Sequence, residues 1–249
     1  METLKLQKYI ASCGVMSRRS AESEIAAGKV TVNGVTAPIG LRVDPEVDVV
    51  CIRGKRVLPR TSAHTYIMLN KPSGYVTTMK DEKGRLSVAD LLHGINGRVY
   101  PIGRLDMYSE GLLLLTDDGD FCRLLSHPLY KKSKIYRVTL VGEIGDEKLT
   151  ELASPMTIIE ADGKPYALKA CPVSLISRQN GETEIEIILY EGRNRQIRRM
   201  CDALEIKIKR LVRIAEGGLS LGSLPKGKWR HLTADEVELL KNQKDTHND

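Results

Sequence analysis

From Thr183 to Tyr190 the chain reads TEIEIILY, with Ile185, Ile187 and Leu189 at every second position. A two-residue period puts those side chains on one face of an extended strand and would scatter them around a helix, so a half-buried sheet strand is required there. A second constraint is the uninterrupted run Leu112–Leu115, which suits a buried strand. Further strands are expected over Tyr66–Asn70, Gly74–Thr78, Val99–Ile102, Gly111–Thr116 and Ile135–Val141, the first two separated by Lys71-Pro72-Ser73. Helical signals are short. Ser87 is placed to cap a helix ending at Leu92, Asp120–Leu125 and Asp146–Ala153 read as two more, and Thr233-Ala-Asp-Glu236 is a capping box opening a last helix through Lys241. Strands with interspersed helices and hairpin-like turns predict an α+β fold with a mostly antiparallel central sheet flanked by helices.

The first sixty residues form a pattern of their own. Leu4, Leu6, Ile10 and Ala11 make a short apolar face that stops near Gly14. Ser17 is placed to cap a second helix, Arg18 to Ala27, with Gly28 just past its end. Val30–Val35 turns at Asn33-Gly34, a tight-hairpin dipeptide, and Val47–Ile52 runs up to Gly54. The expected organisation is therefore a small domain over 1–60, a linker over 61–65, a larger domain over 66–242 and a fraying polar tail over 243–249.

Charge narrows the partners. Lys and Arg number 38 against 32 Asp and Glu, a formal +6 that is modest until its distribution is considered. Residues 192–213 hold eight basic side chains against Asp202 and Glu205, and residues 1–60 hold ten against six acidic ones. Two basic regions far apart in sequence fit a polyanion that touches both. No stretch approaches the roughly 20 apolar residues that cross a bilayer, and the opening METLKLQKYIAS lacks the apolar run of a secretory leader. The five cysteines are scattered with no CxxC pair, which suits reduced thiols and argues against a disulfide framework or a zinc site. A cytoplasmic monomer with no membrane association and no metal or other cofactor is expected.

The segment that can carry chemistry is Pro101–Gly119, PIGRLDMYSEGLLLLTDDG. Arg104-Leu105-Asp106 stands just ahead of the apolar run, so Asp106 sits at the mouth of a buried strand with an arginine two residues away. That position suits a nucleophile or general base, and equally a structural Arg–Asp pair or a turn-forming Asp. Glu110 raises a two-carboxylate glycosidase site, but 4% aromatic content and one Trp offer few rings to stack on sugars. Asp117 and Asp118 read as turn residues. Asn194–Leu204 spaces Ile197, Met200, Cys201 and Leu204 along one helical face, leaving Arg195, Arg198, Arg199 and Asp202 on the other, either a phosphate-binding surface or a solvated one. Arg18 and Arg19, in the first turn of their helix, with Lys8 before and Lys29 after, pose the same choice.

Longer strings weigh on these choices. LQKYIASCGVMSRRSAESEIAAGKVTVNG, residues 6–34, resembles an S4 domain, the small RNA-binding module of ribosomal and RNA-modifying proteins. GRLDMYSEGLLLLTDDG resembles the catalytic motif of the RsuA family of pseudouridine synthases, the S4-bearing group that modifies ribosomal RNA. LNKPSGYVTT (69–78), SKIYRVTL (133–140) and EGRNRQIRRM (191–200) resemble that family's other motifs in the same order, and LPKGKWRHLT (224–233) fits its closing segment. Together they span nearly the whole chain. Met107-Tyr108-Ser109 departs from the Tyr-Asp-Thr of many members, which touches local contacts and leaves the catalytic positions unchanged.

The resemblance implies an S4 domain joined to a pseudouridine-synthase catalytic domain. Asp106 is implied as the catalytic carboxylate, Tyr136 as the active-site tyrosine, and Arg198 as the basic residue that pairs with Asp106, keeping it ionised and aimed. The implied RNA contacts are Lys71, Arg104, Arg195 and Arg199 in the larger domain, and Arg18, Arg19 and Lys29 in the smaller. With no aromatic residue placed for stacking, the S4 domain should read RNA shape and backbone. The implied reaction flips a uridine out, with Arg104 filling the vacated stack or holding phosphate, breaks C1′–N1, rotates the uracil and rejoins it through C5. Asp106 serves either as nucleophile at the sugar or by stabilising the departing uracil. The expected partner is ribosomal RNA, free or in an assembly intermediate. RNRQIRRM resembles members acting on large-subunit RNA, which favours 23S; the alternatives are a 16S enzyme and a non-catalytic RNA-binding or ribosome-assembly protein.

Overall fold

The computed structural model describes residues 3–95 and 97–242; the tail 243–249, expected to fray, lies outside them. The chain divides into two compact units, the first comprising Met1–Thr65 with Ile95–Val99 and Asp117–Gly119, the second the remainder.

In the first unit, helices Leu6–Ser12 and Arg18–Ala26 accompany a four-stranded sheet ordered Val35–Thr36, Val30–Val32, Val50–Ile52, Lys55–Arg56. Ser17 caps the second helix by accepting from the Ser20 amide at 3.0 Å. Asn33 and Gly34 take φ of 53° and 83°, the paired positive values of a hairpin turn whose twist matches its strands. The strand expected over Val47–Ile52 begins only at Val50, because Asp48 folds back to accept from the Asp44 amide at 2.7 Å and closes a turn. Leu6, Ile10, Ala21, Ile25, Val30 and Val50 meet in this unit's core. The 61–65 stretch is tied down: Asp117 accepts from the Thr65 amide at 3.0 Å, lies 2.9 Å from His64 Nδ1 and pairs with Arg60 at 2.7 Å.

The second unit is organised by a nine-stranded sheet. Its main path runs Val173–Gln179, Glu182–Leu189, Lys134–Val141, Ile208–Glu216, Glu110–Thr116, Tyr66–Lys71, Trp229–His231. Neighbours are antiparallel except for Ile208–Glu216 against Glu110–Thr116, which run parallel, with Val212 opposite Glu110 and Arg213 opposite Gly111. The Glu182–Leu189 strand alternates as its sequence requires, Ile185, Ile187 and Leu189 buried, Glu184 and Glu186 half-buried. Glu110–Thr116 is buried throughout, as a central strand rich in Leu must be. Val138, Leu140, Ile185 and Ile187 pack against Ile197, Met200 and Cys201 of the helix Gln196–Ala203, burying the helix's apolar stripe.

Further features depart from the sequence expectations. Gly74–Thr78 is a loop that makes one isolated bridge, Val76 to Ser87, because its polar groups are used elsewhere: the Gly74 amide donates to the Met107 carbonyl at 2.8 Å, and the Thr77 hydroxyl to the Leu105 carbonyl at 2.6 Å. The helix expected from Asn194 begins at Gln196, since Arg195 takes a left-handed φ of 54°. Ile208–Glu216, near the middle of the sheet, is a nine-residue strand that the sequence did not announce.

Candidate active site

A cavity of about 530 Å3 opens in the second unit, within the range of roughly 300–1,000 Å3 typical of small-ligand sites. Its walls come from the 102–109 segment, the 125–132 segment, the start of the Lys134–Val141 strand, the 189–198 segment and the Ile208–Glu216 strand. Eight basic side chains line it against three acidic ones, so it favours an anionic ligand.

Asp106, half-buried, lines this cavity together with Tyr136 and Arg198. Among the described residues no hydrogen bond or ion pair occupies its carboxylate, which is left open for a ligand. The loop that carries it is fixed instead through backbone. Ser109 N donates to the Asp106 carbonyl at 3.0 Å, and Thr77 Oγ1 accepts from the Leu105 amide at 3.2 Å. Lys71 completes the grip. Its Nζ donates to the carbonyls of Pro72, Asp106, Met107 and Ser109 at 3.0, 3.1, 3.2 and 2.8 Å. This corrects the expectation that Lys71 contacts RNA: the side chain is wholly buried and its amine is used up inside the protein. Burial pushes its pKa down to about 8 against the upward pull of Asp106 and Glu110.

Arg198 reaches the cavity from its helix but does not form the expected ion pair with Asp106. One guanidinium nitrogen donates to the Tyr108 carbonyl at 3.0 Å, while its buried Nε has no hydrogen-bond partner among the described residues. Burial and the neighbouring Arg195 lower its pKa, with Asp106 acting in the opposite sense. Its charge therefore acts on Asp106 across the cavity rather than through contact.

Tyr136 follows Leu140 and Val138 along the inner face of its strand, where the core gives way to the cavity. Burial raises its phenol pKa, Arg213 pulls it down, and Glu216 and Asp106 raise it further. Arg213, its cross-strand neighbour, and Glu216, both 2% exposed, lie 3.2 Å apart in the same cavity wall. Neither was singled out from sequence as a site residue; the available signal was an Arg and a Glu embedded in the apolar string LVRIAEGG.

Of the remaining expected contacts, Arg104 and Arg195 are exposed at the cavity. Arg199 is not part of its lining: its guanidinium donates to the Asn194 carbonyl at 2.9 Å, to the Asn194 side chain at 3.2 Å and to the Ile159 carbonyl, making it a brace. Arg18, Arg19 and Lys29 are exposed on the first unit, where Arg18 shares a cavity of about 380 Å3 with Lys5, Lys8 and Arg42. Glu110 is not a second carboxylate for Asp106. It pairs with Arg210 and Lys226, each at 2.9 Å, and these two cations hold its pKa below the usual range despite the upward push of burial. Among the described residues there is no group of three or more His, Cys, Asp or Glu side chains that could hold a metal, and no helix is long and apolar enough to cross a membrane.

Known proteins resemble this chain over most of its length. Residues 65–203 match the family described as RNA pseudouridylate synthase. An uncharacterized RNA pseudouridine synthase of Aquifex aeolicus is 37% identical over 242 residues, covering 96% of this chain and 94% of that one. The ribosomal large subunit pseudouridine synthase B of Bacillus subtilis is 39% identical over 240 residues, covering 95% of each. A crystal structure of a pseudouridylate synthase superposes with a TM-score of 0.68 at 28% identity, covering 95% of this chain and 99% of that one. The chain belongs to the RNA pseudouridylate synthase family.

Proposed function

We propose that this pseudouridine synthase acts on ribosomal RNA, isomerising a uridine of the large-subunit 23S RNA, with Asp106 as the catalytic carboxylate and Tyr136 and Arg198 beside it. The observation that carries the reading is the meeting of these three side chains in one basic cavity with the Asp106 carboxylate unoccupied. The large-subunit assignment draws on the Bacillus subtilis relative's name and on the string RNRQIRRM.

The reaction sets what the site must do. A uridine has to leave its stack to expose the C1′–N1 bond, and Arg104, exposed at the cavity, is placed to fill the gap or hold a phosphate. Breaking C1′–N1 and forming C1′–C5 leaves a proton to depart from C5 and a valence to fill on N1, so the balance closes without a co-reactant. Asp106 acts at the sugar or on the departing uracil, its orientation fixed by the backbone grip described above. Tyr136 supplies a flat face for the uracil and a hydroxyl able to relay a proton. Arg198, Arg195 and Arg104 add positive charge around an anionic substrate. The first unit is read as an S4 domain whose Arg18, Arg19 and Lys29 grip RNA backbone, and the cellular setting as the cytoplasm, where the ribosome is assembled.

Replacing Asp106 with Asn keeps the side chain's size and removes its charge. Pseudouridine formation on ribosomal RNA should fall by a factor of at least about 10⁴, with RNA affinity within about threefold of the parent. Mapping pseudouridines after incubation with 23S and 16S RNA reads both the rate and the target. Turnover by the Asn variant would remove the role given to Asp106, and a product confined to 16S RNA would remove the large-subunit assignment.

A further inference from the structure

We propose that Arg213 is a positioning residue for Tyr136, a buried guanidinium that fixes the phenol in the cavity and acts on the reaction through it. The inference rests on the reading of Tyr136 as a group that meets the flipped uracil.

In a regular strand, residues three apart point to opposite faces, so Arg213 and Glu216 should be separated by the sheet. They are not, because the pairing with the Lys134–Val141 strand slips between Ile135 and Tyr136: Ile135 lies opposite Ala215 and Tyr136 opposite Arg213, leaving Ile214 as the extra residue of a bulge. The slip brings Arg213 and Glu216 to one face, each directly across from a residue of the neighbouring strand, Tyr136 for Arg213 and Lys134 for Glu216. The result is a quartet in the cavity wall, with Lys134 3.8 Å from Glu216 and Arg213 3.2 Å from it.

The guanidinium in this quartet is fixed by one hydrogen bond and one ion pair. Its Nε donates to the Leu112 carbonyl at 2.7 Å, and Glu216 lies 3.2 Å from a terminal nitrogen that has no hydrogen-bond partner among the described residues. The backbone that carries it is packed so close to Gly111 that a Cβ there would sit 2.2 Å from the Arg213 carbonyl oxygen. At 2% exposure it offers almost no surface to an RNA strand. A buried ion pair is an expensive way to stabilise a core, since apolar residues of similar volume serve as well or better. Bulges likewise concentrate where a side chain must be re-aimed. Both features lie beside the same tyrosine, and a misplacement of about 1 Å in a reacting site is enough to cost about 100-fold in rate.

The test is a double-mutant cycle on the full chain, measuring pseudouridine formation on ribosomal RNA and RNA affinity separately. Arg213→Met with Glu216→Leu removes both charges together and avoids leaving one buried alone. We expect wild-type affinity and thermal midpoint with kcat lower by about 100-fold, Arg213→Lys falling between. In a Tyr136→Phe background the same double change should add less than about 3-fold, because the partner through which Arg213 acts is gone. An unimpaired double variant, a loss seen in affinity instead of kcat, or an equal loss in both backgrounds would overturn the inference. Should the double variant fail to fold, Arg213→Lys in the two backgrounds decides by the same comparison. A wild-type rate in Tyr136→Phe would sink the reading of Tyr136 itself and this inference with it; a slow Tyr136→Phe beside an unimpaired double variant sinks this inference alone.

Discussion

Lys71 concentrates at one residue the conflict between burial and charge. Its ammonium lies wholly out of water, held by four carbonyls, three of them from the loop that carries Asp106. Removing the amine leaves those oxygens without their donor, and Lys71→Met should cost about 3 kcal/mol at neutral pH and most of the activity, since the loop loses its anchor. The pH dependence has a definite sign. Burial lowers the folded pKa from 10.5 to about 8, so between these values the unfolded chain binds more protons than the folded one. The contribution of Lys71 to stability therefore rises with pH across that window, by up to about 1.4 kcal/mol per pH unit, and is level below it. Urea unfolding of wild type and Lys71→Met from pH 7.5 to 10 checks this. The gap between the two proteins should widen with pH, and parallel curves would mean the amine keeps its ordinary pKa.

At the level of the element, the parallel contact between Glu110–Thr116 and Ile208–Glu216 hinges on Gly111. Its φ of 99° and the 2.2 Å approach of the Arg213 carbonyl to any Cβ leave no room for a side chain, and backbone cannot yield as a flexible side chain can. Gly111→Ala should therefore destabilise by about 3 kcal/mol or more, a drop of roughly 10 °C in thermal midpoint for a unit of this size. A midpoint within about 2 °C of wild type would show that the two strands separate freely at this point. The same pair of strands explains what could be read from sequence. Leu112–Leu115 announces a buried strand because it needs only apolar neighbours, and Glu182–Leu189 because its alternation is local. Ile208–Glu216 hides its nature, since Arg210, Arg213 and Glu216 look like solvent-facing charges until Glu110, the Leu112 carbonyl and Lys134 arrive from distant parts of the chain. Asp106, Tyr136 and Arg198 were singled out because they sit in long family motifs, and they do line one cavity; the buried role of Lys71 was not legible, since Lys71-Pro72-Ser73 reads as a turn whichever way its amine points.

Over the whole molecule, charge is the property that best matches an RNA substrate, and each unit carries it independently. The cavity of the second unit is lined mostly by cations, and the first unit exposes Arg18, Arg19 and Lys29, none of which forms an ion pair among the described residues. Cations left unneutralised by the protein's own carboxylates are free to displace counterions from phosphates, and each such contact tilts the plot of log affinity against log salt by about 0.7–0.9. Arg18→Ala with Arg19→Ala should then weaken binding to ribosomal RNA at low salt and flatten that plot by about 1.4–1.8, the share of two phosphate contacts. Fluorescence anisotropy with labelled RNA across a salt series measures both. A parallel, merely displaced line would mean that the two arginines support the first unit without touching phosphate, and unchanged binding would make the basic face of that unit a solvated surface, leaving the cavity of the second unit to hold RNA alone.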